Sequence, residues 1–562
     1  MTRTSLAMML LTALLGLFLM SGCGKEKIVN VVQAPAIKVS VTATPDSLGT
    51  GARVRVRAAI TTNSGGPFTY SWGSSAGTFL NARAESTDWT APDDPGIYSL
   101  TVVVTDRKDV GIGSEDVAVA THIPTVTPFY RGATYCATCH NGGEGGTEYA
   151  TWSTSVHAGA RGSLQAIGQG ANANCVGCHT VGSYGLDADA ALDNGGYDES
   201  AVPRLAGVQC ENCHGPGSEH PTRDFTSVKA TLDPALCGQC HSQSHHPTYE
   251  EWQTSAHSGI VESPSLNKSC VKCHNGLYSG EFLDDPEGFV APATNPTEAL
   301  PLVCAACHDP HGNSNPGNLR DASVTDRALP NGVLVANAGA GRLCMACHNG
   351  RRTDTQVDAQ IANGGRFGPH HSVQGDMLTG VNAYEKIRPV DFPWASSKHI
   401  LVQDACVTCH THAHAGDPEN GIPNFTGHDF RPAVEACQPC HGTITEFDQV
   451  IASNDFDGDG TIEGVQMEVA DLLDQLKETI IEASTSTEDS LALIADFEGK
   501  LGDTTVTTVD QRKAAYNWTF VLFDGSTGVH NTAYAVQLLQ QSILFLNPAA
   551  LPEKAYILRQ EG

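Results

Sequence analysis

The stretch LCGQCHSQSHHPTYEEWQTSAHSG, residues 236–259, decides how the rest of the chain is read. Cys237 and Cys240 stand three apart, and His241 follows at once. His245, His246 and His257 arrive within the next sixteen residues. Two thiols, an adjacent imidazole and further imidazoles nearby are ligand chemistry, and the arrangement has to be matched to a ligand.

The cysteine arithmetic narrows the choice. There are 19 cysteines. Apart from Cys23, all fall into C-x-x-C pairs, and a His follows every pair. The nine sites, numbered in chain order, are Cys136, Cys139 and His140; Cys175, Cys178 and His179; Cys210, Cys213 and His214; Cys237, Cys240 and His241; Cys270, Cys273 and His274; Cys304, Cys307 and His308; Cys344, Cys347 and His348; Cys406, Cys409 and His410; Cys437, Cys440 and His441. Disulfides would suit an exported chain but give no reason for the histidine. Zinc sites take cysteine pairs two at a time, and nine is odd. Thioredoxin-like pairs need a βαβ context that is missing here. Histidine is about 4% of the chain, so nine adjacent hits by chance is on the order of 10⁻¹³, and the pattern is that of c-type haem attachment. Each thiol forms a thioether with one haem vinyl group, and the next imidazole binds the iron from the proximal side.

Composition agrees. The 562-residue chain has only 6% aromatic residues but 57 glycines. Between residues 128 and 445 no helix-period or strand-period apolar stripe persists. Porphyrins would fill that interior instead, and such a region is expected to hold little regular secondary structure and to need its cofactor to fold. The net charge of −29 argues against nucleic acid. It suits solubility, or a cationic partner such as a metal ion or a basic redox protein.

The sixth position of each iron separates enzyme from electron carrier. Of 23 histidines, fourteen remain after the nine proximal ones. Trp152-x-x-Ser-x-His157 and Trp252-x-x-Ser-x-His257 are an internal repeat, with Trp394-x-x-Ser-x-His399 a looser third copy. His220, His311, His412 and His414 follow attachment sites closely; His370, His371, His428 and His530 complete the distal candidates. One from each doublet gives nine. His122, His245 and His246 are left over.

VQCENCHGPGSEH (208–220), CHDPHG (307–312), the Trp-x-x-Ser-x-His segments and GVHNTAYAVQLL (528–539) resemble the multihaem c-type cytochromes related to cytochrome c554, the ammonia-forming nitrite reductases and the outer-surface cytochromes of metal-reducing bacteria. The resemblance spans roughly residues 128–546 and implies that these histidines are distal ligands, often of a haem bound elsewhere in the chain. The nitrite reductases mark their active haem by Lys in place of the proximal His, and no C-x-x-C-K occurs here.

The flanks read differently. Residues 1–22 form a secretory leader with Arg3 and an apolar run from Leu6 to Met20, too short to span a bilayer. Met20-Ser21-Gly22-Cys23 resembles a lipobox, which implies lipidation of Cys23 and, with Gly24, outer-membrane sorting, on the periplasmic or cell-surface side. After a linker at 23–35, period-two alternation in ARVRVRAAI and GIYSLTVVVTD predicts an all-β immunoglobulin-like sandwich over 36–122, with Trp72 in its core. It would serve as a spacer or a docking module. From 446 to 562 the pattern turns α-helical, with a stripe beginning at Ile462, two more helices, and Asn531 or Thr532 capping the last. Asp455, Asp457 and Asp459 take positions 1, 3 and 5 of a calcium loop, although Gln466 stands where its bidentate Glu belongs.

The expected fold is thus multidomain: a β-sandwich, a haem-cored region with short helices, and a helical end. The expected function is a nonahaem c-type cytochrome passing electrons between mostly bis-His haems, to redox partner proteins or an extracellular acceptor. The alternatives are a reductase of nitrogen or sulfur oxyanions with one open-sided haem, and a subunit of a haem filament.

Overall fold

The computed structural model describes residues 37–559 apart from short internal stretches, the longest being 121–129, 183–195 and 221–230. The leader, Cys23, the 23–35 linker and His122 lie outside the described residues. The chain forms two compact units, Met1–Val126 and Thr127–Gly562.

Among the described residues the first unit holds eight strands: β1 Lys38–Thr44, β2 Ser47–Gly49, β3 Arg53–Thr61, β4 Thr69–Gly73, β5 Thr78–Phe79, β6 Ser86–Thr90, β7 Gly96–Thr105 and β8 Val110–Ala120. They make two four-stranded sheets, ordered β1-β3-β6-β5 and β2-β8-β7-β4. The pairs are antiparallel except β2 with β8. Alternation sets the buried face: Val54, Val56 and Ala58 point inward while Arg53, Arg55 and Arg57 point out. Leu100, Val102 and Val104 do the same from the other sheet, and both sets join one apolar cluster. Trp72 is buried as expected, but Trp89 is the wholly buried tryptophan, opposite Val54 in the β3–β6 register. Gly113 in β8 lets β1 approach, since a Cβ there would come within 2.7 Å of the Val39 carbonyl oxygen.

In the second unit the haem-attachment region and the helical end are parts of one body. From 131 to 445 the described helices are short; Asp354–Asn363, at 10 residues, is the longest among them. The attachment motifs lie on or beside such single turns, as in Ala133–His140, Cys210–His214, Val271–His274 and Cys406–His410. Three small clusters, around Met345, Phe282 and Leu205, are separate from the main core. This is the sparse side-chain core that the composition predicts.

The helical end is built on Val465–Glu482, Thr487–Ala495, Val509–Asp524 and Thr532–Leu546. Val465, Val469, Leu472, Leu476 and Ile480 form the buried stripe of the first. Ile462 is not part of it; it precedes the helix and is 51% exposed. Thr508 and Gln511 form a capping box, and the Asn531 side chain accepts from the Tyr534 N–H, as the sequence predicts for the last helix. Residues as early as Val357, Ile361, Met377 and Ile387 pack into this core, so the boundary expected at 445 does not divide the packing. Among the described residues no helix is long and apolar enough to cross a membrane.

Replacing Leu100 by Ala empties a fully buried position in the sheet core. The first unit is expected to lose about 2–5 kcal/mol, seen as an earlier unfolding transition, with the absorbance of the second unit's chromophores unchanged.

Candidate functional site

Each attachment motif is shaped by one helical turn. The His N–H donates to the carbonyl of the first cysteine at 2.9 Å for His241, 3.1 Å for His274, 3.0 Å for His308, 2.8 Å for His348 and 2.9 Å for His441. That i to i+4 closure puts thiols at i and i+3 and an imidazole at i+4 on one face. Several proximal rings are then fixed by a second contact at Nδ1. His179 meets the Ala160 carbonyl at 3.0 Å, His410 the Phe430 carbonyl at 2.9 Å, and His308 the Gly317 carbonyl at 2.6 Å. His348 meets Oε1 of Gln374 at 3.2 Å. With Nδ1 engaged, Nε2 is the nitrogen left to bind a metal.

Eight proximal rings face a second imidazole across a constant gap. The pairs are His140 with His220 at 6.3 Å between ring centres, His241 with His157 at 6.1 Å, His214 with His311 at 6.2 Å and His348 with His257 at 6.2 Å. His274 pairs with His370 at 6.0 Å, His308 with His428 at 6.2 Å, His441 with His399 at 6.1 Å and His410 with His530 at 6.1 Å. Direct stacking would bring the rings closer. Two metal–imidazole bonds of about 2 Å each, plus the ring radii, give about 6 Å. The residues therefore fit an iron between each pair. Burial also pulls the pKa of His241, His257 and His370 down to about 4, so these rings keep the lone pair a metal needs.

The doublets resolve. His370 faces a proximal ring, whereas His371 lies on Phe523 at 3.7 Å. His414 stacks on Phe425. Neither His412 nor His414 faces a proximal ring among the described residues, so the expected distal role for that doublet finds no pair. His246, left over in the sequence reading, lies 6.3 Å from His241 and interacts electrostatically with His179.

Further residues hold the distal rings and were not singled out from the sequence. Asp524, with a fully buried side chain, accepts from Nδ1 of His530 at 2.7 Å. Burial pulls the His530 pKa down, but the charge and hydrogen bond of Asp524 more than offset it, and the value stands raised. Glu251 accepts from the N–H groups of Thr426 and His428, both at 2.9 Å, and so fixes the His428 segment. Glu211, inside its own C-x-x-C, accepts from Arg131, Gly132 and Gly217 and ties site 3 to the start of site 1. The available signal was an acid close to each ligand, but such neighbours are common.

The Trp-x-x-Ser-x-His repeat is also a repeat in space. The indole of Trp152 donates to the Val208 carbonyl at 2.8 Å and that of Trp252 to the Leu302 carbonyl at 2.9 Å; each acceptor stands two residues before a first cysteine. Val208 and Leu302 donate in turn to the carbonyls of His157 and His257. Trp394, in the looser copy, packs instead against Phe392 and Tyr534.

Thiols of different sites interact electrostatically: Cys136 with Cys210, Cys178 with Cys240, Cys237 with Cys304, Cys273 with Cys347 and Cys344 with Cys406. Electrostatic range joins Cys213 to Cys237, Cys307 to Cys347, and Cys409 to Cys437 and Cys440. The sites then form one network: 1-3-4-6-7-8-9 in a line, with 2 attached at 4 and 5 at 7.

The acidic turn differs from the calcium loop expected. Asp455 and Asp457 converge with Glu468, not with Asp459, their ligand oxygens within 4.8 Å of one another. Glu468, two residues beyond Gln466, supplies the missing Glu, because the helix begins at Val465 and turns it inward. Asp459 instead accepts from the Thr461 N–H. Burial, with the neighbouring carboxylates adding to it, pushes Asp457 up to about 7.

The family described as cytochrome c554 and c-prime matches residues 135–215, and that described as a doubled CXXCH motif matches residues 301–353. The multiheme cytochrome MtrA of Shewanella baltica is 26% identical over 202 residues, 32% of this chain and 53% of the relative. The C-type polyheme cytochrome OmcB of Geobacter sulfurreducens is 26% identical over 195 residues, 31% of this chain and 25% of the relative. The chain thus spans about half the length of the first and a quarter of the second. The crystal structure of the outer cell wall cytochrome OcwA aligns over 66% of this chain and 76% of that one, at 19% identity and a TM-score of 0.41. The attachment motifs and the matches to these families make the chain a multihaem c-type cytochrome, related to cytochrome c554, MtrA and OmcB.

Proposed function

We propose that the chain carries nine covalent haems, at least eight of them between two imidazoles, and that it is an electron carrier. The observation that carries this is the eight imidazole pairs at 6.0–6.3 Å, each joining a C-x-x-C-H motif to a histidine far away in sequence. A haem iron held on both sides by imidazole exchanges single electrons without binding substrate. The chain supplies the rest: thioether cysteines would fix each ring plane, paired imidazoles would keep water and substrate off the metal, and the closeness of cysteines from different sites would keep neighbouring haems close. Electrons would follow the seven-site line, with sites 2 and 5 as side branches. The leader and the lipobox-like Met20–Cys23 support export and a lipid anchor at the outer membrane. The immunoglobulin-like reading of residues 36–122 then makes that unit a spacer, and the partners would be redox proteins or an extracellular acceptor.

The test is haem stoichiometry with spin state. Mass spectrometry of the mature protein is expected to show nine added haems, and electron paramagnetic resonance of the oxidised form to be dominated by low-spin iron. A colourless product, or iron that is largely high-spin, would overturn the reading.

Asp524 generates a finer expectation. A carboxylate on Nδ1 makes His530 more basic and favours ferric over ferrous iron. Asp524→Asn removes that charge and keeps the hydrogen bond. If ferric preference falls about tenfold, the site 8 potential rises by about 60 mV, visible as one component moving in a potentiometric titration while the others stay.

A further inference from the structure

Site 1 is assembled from two segments far apart in the chain. Its cysteines and His140 stand on Ala133–His140, while the imidazole opposite, His220, follows site 3. The two rings are 6.3 Å apart and 27° from coplanar. The apolar cluster next to them is small: Tyr130, Val181 and Leu205. The two segments are joined instead through one carboxylate.

Glu211 follows Cys210 inside site 3 and is only 4% exposed. On one side its oxygens accept from the N–H of Arg131, at 2.9 and 3.0 Å, and from that of Gly132 at 2.7 Å. These two residues lead directly into the helix that carries His140, and the Gly132 carbonyl oxygen lies 3.9 Å from the Cys136 sulfur. On the other side Oε1 accepts from the Gly217 N–H at 2.7 Å, three residues before His220. Glycine is required for that approach, because a Cβ at 217 would stand 3.2 Å from Oε1. The Arg131 side chain adds a longer contact, 3.5 Å, to the Ser218 carbonyl. The carboxylate thus ties the helix of His140 to the loop of His220, from a residue anchored in a third place by site 3.

The donor set explains why an acid stands here. Three backbone N–H groups from two segments converge on two oxygens. A carboxylate accepts on every side, and each of these hydrogen bonds is strengthened by its charge. Gln would keep the length but turn an NH₂ toward one of the donors, a mismatch that burial makes worse.

We propose that Glu211 is the positioning residue of site 1, setting the orientation of both His140 and His220 through their backbones rather than through either ring. This rests on the reading of that pair as the two axial ligands of a haem.

The test uses the complete haem-loaded protein, electron paramagnetic resonance and sodium cyanide as a probe. His220→Ala first identifies the low-spin signal of site 1 as the one it removes. Glu211→Gln is then expected to shift that signal, since the spectrum of a haem between two imidazoles follows the angle between their planes. It is also expected to raise the cyanide affinity of that haem about tenfold, because His220 is held less firmly. The remaining haems keep their native signals and their native response to cyanide. Gly217→Ala lies outside every attachment motif and is expected to shift the same signal by crowding Oε1; it decides the matter if Glu211→Gln takes up fewer than nine haems. The proposal is overturned if the deciding variant leaves the site 1 signal and cyanide affinity native, or disturbs the other haems as much as site 1. Those results leave the carrier reading intact. A native protein with fewer than nine haems, or a His220→Ala protein that loses no low-spin signal, would strike the reading of the imidazole pairs instead.

Discussion

The constraint on which the second unit depends is the single helical turn that carries two thiols and an imidazole on one face. The motif recurs nine times in the sequence, and on the proposed reading each copy fixes where a porphyrin would sit. The partner imidazoles come from far along the sequence. His140 meets His220, His308 meets His428 and His410 meets His530. On the proposed reading, an iron held between each pair would crosslink segments that otherwise pay the full entropy of loop closure. Apolar packing around sites 1 to 6 is thin, so on the proposed reading ligation and folding would be one process there, as in small metal-dependent domains.

What could be read from the sequence follows from that chemistry. The proximal ligands are local, i to i+4 on one turn, and a local pattern is visible in a string of residues. The β-strands were legible for a similar reason: Val54, Val56 and Ala58 alternate with arginines, and the alternation survives as burial. Distal pairing is a property of the tertiary fold. Nothing near His157 in the chain says that it will face His241 rather than His179, and nothing in a His-His doublet says that His370 points inward while His371 lies on Phe523. The acidic turn shows the same limit. Spacing named Asp459, but the start of the following helix decides which carboxylate turns in, and it is Glu468.

The internal repeat explains how such a network is assembled from few instructions. In both close copies the tryptophan indole and the carbonyl of the repeat's His grip the backbone two residues before the second attachment site downstream, sites 3 and 6. That grip sets the distance between the repeat's His and that attachment site. The thiol interactions repeat with it: Cys136 is coupled to Cys210 in one copy, and Cys237 to Cys304 in the next. The third copy loses the grip because Trp394 is drawn into the apolar core of the C-terminal helices. There the packing of Tyr534, Met377 and the helical stripe takes over the positioning that the clamp performs elsewhere.

That change of support has a consequence for the energetics along the line of sites. Sites 1 to 6 lie on short helices with small apolar clusters, where orientation comes from backbone hydrogen bonds and from Glu211 and Glu251. Site 8 is mounted against a core in which Val469, Leu472 and Phe520 are wholly buried. A low-dielectric setting strengthens every charge interaction within it. Asp524 acts on His530 in that setting, whereas the acid beside His311, Asp309 at 3.8 Å, faces a half-open one. The same device, a carboxylate beside the facing imidazole, therefore has unequal leverage at sites 3 and 8. On the proposed carrier reading, the packing around the imidazoles would separate the potentials of sites whose ligand sets are alike.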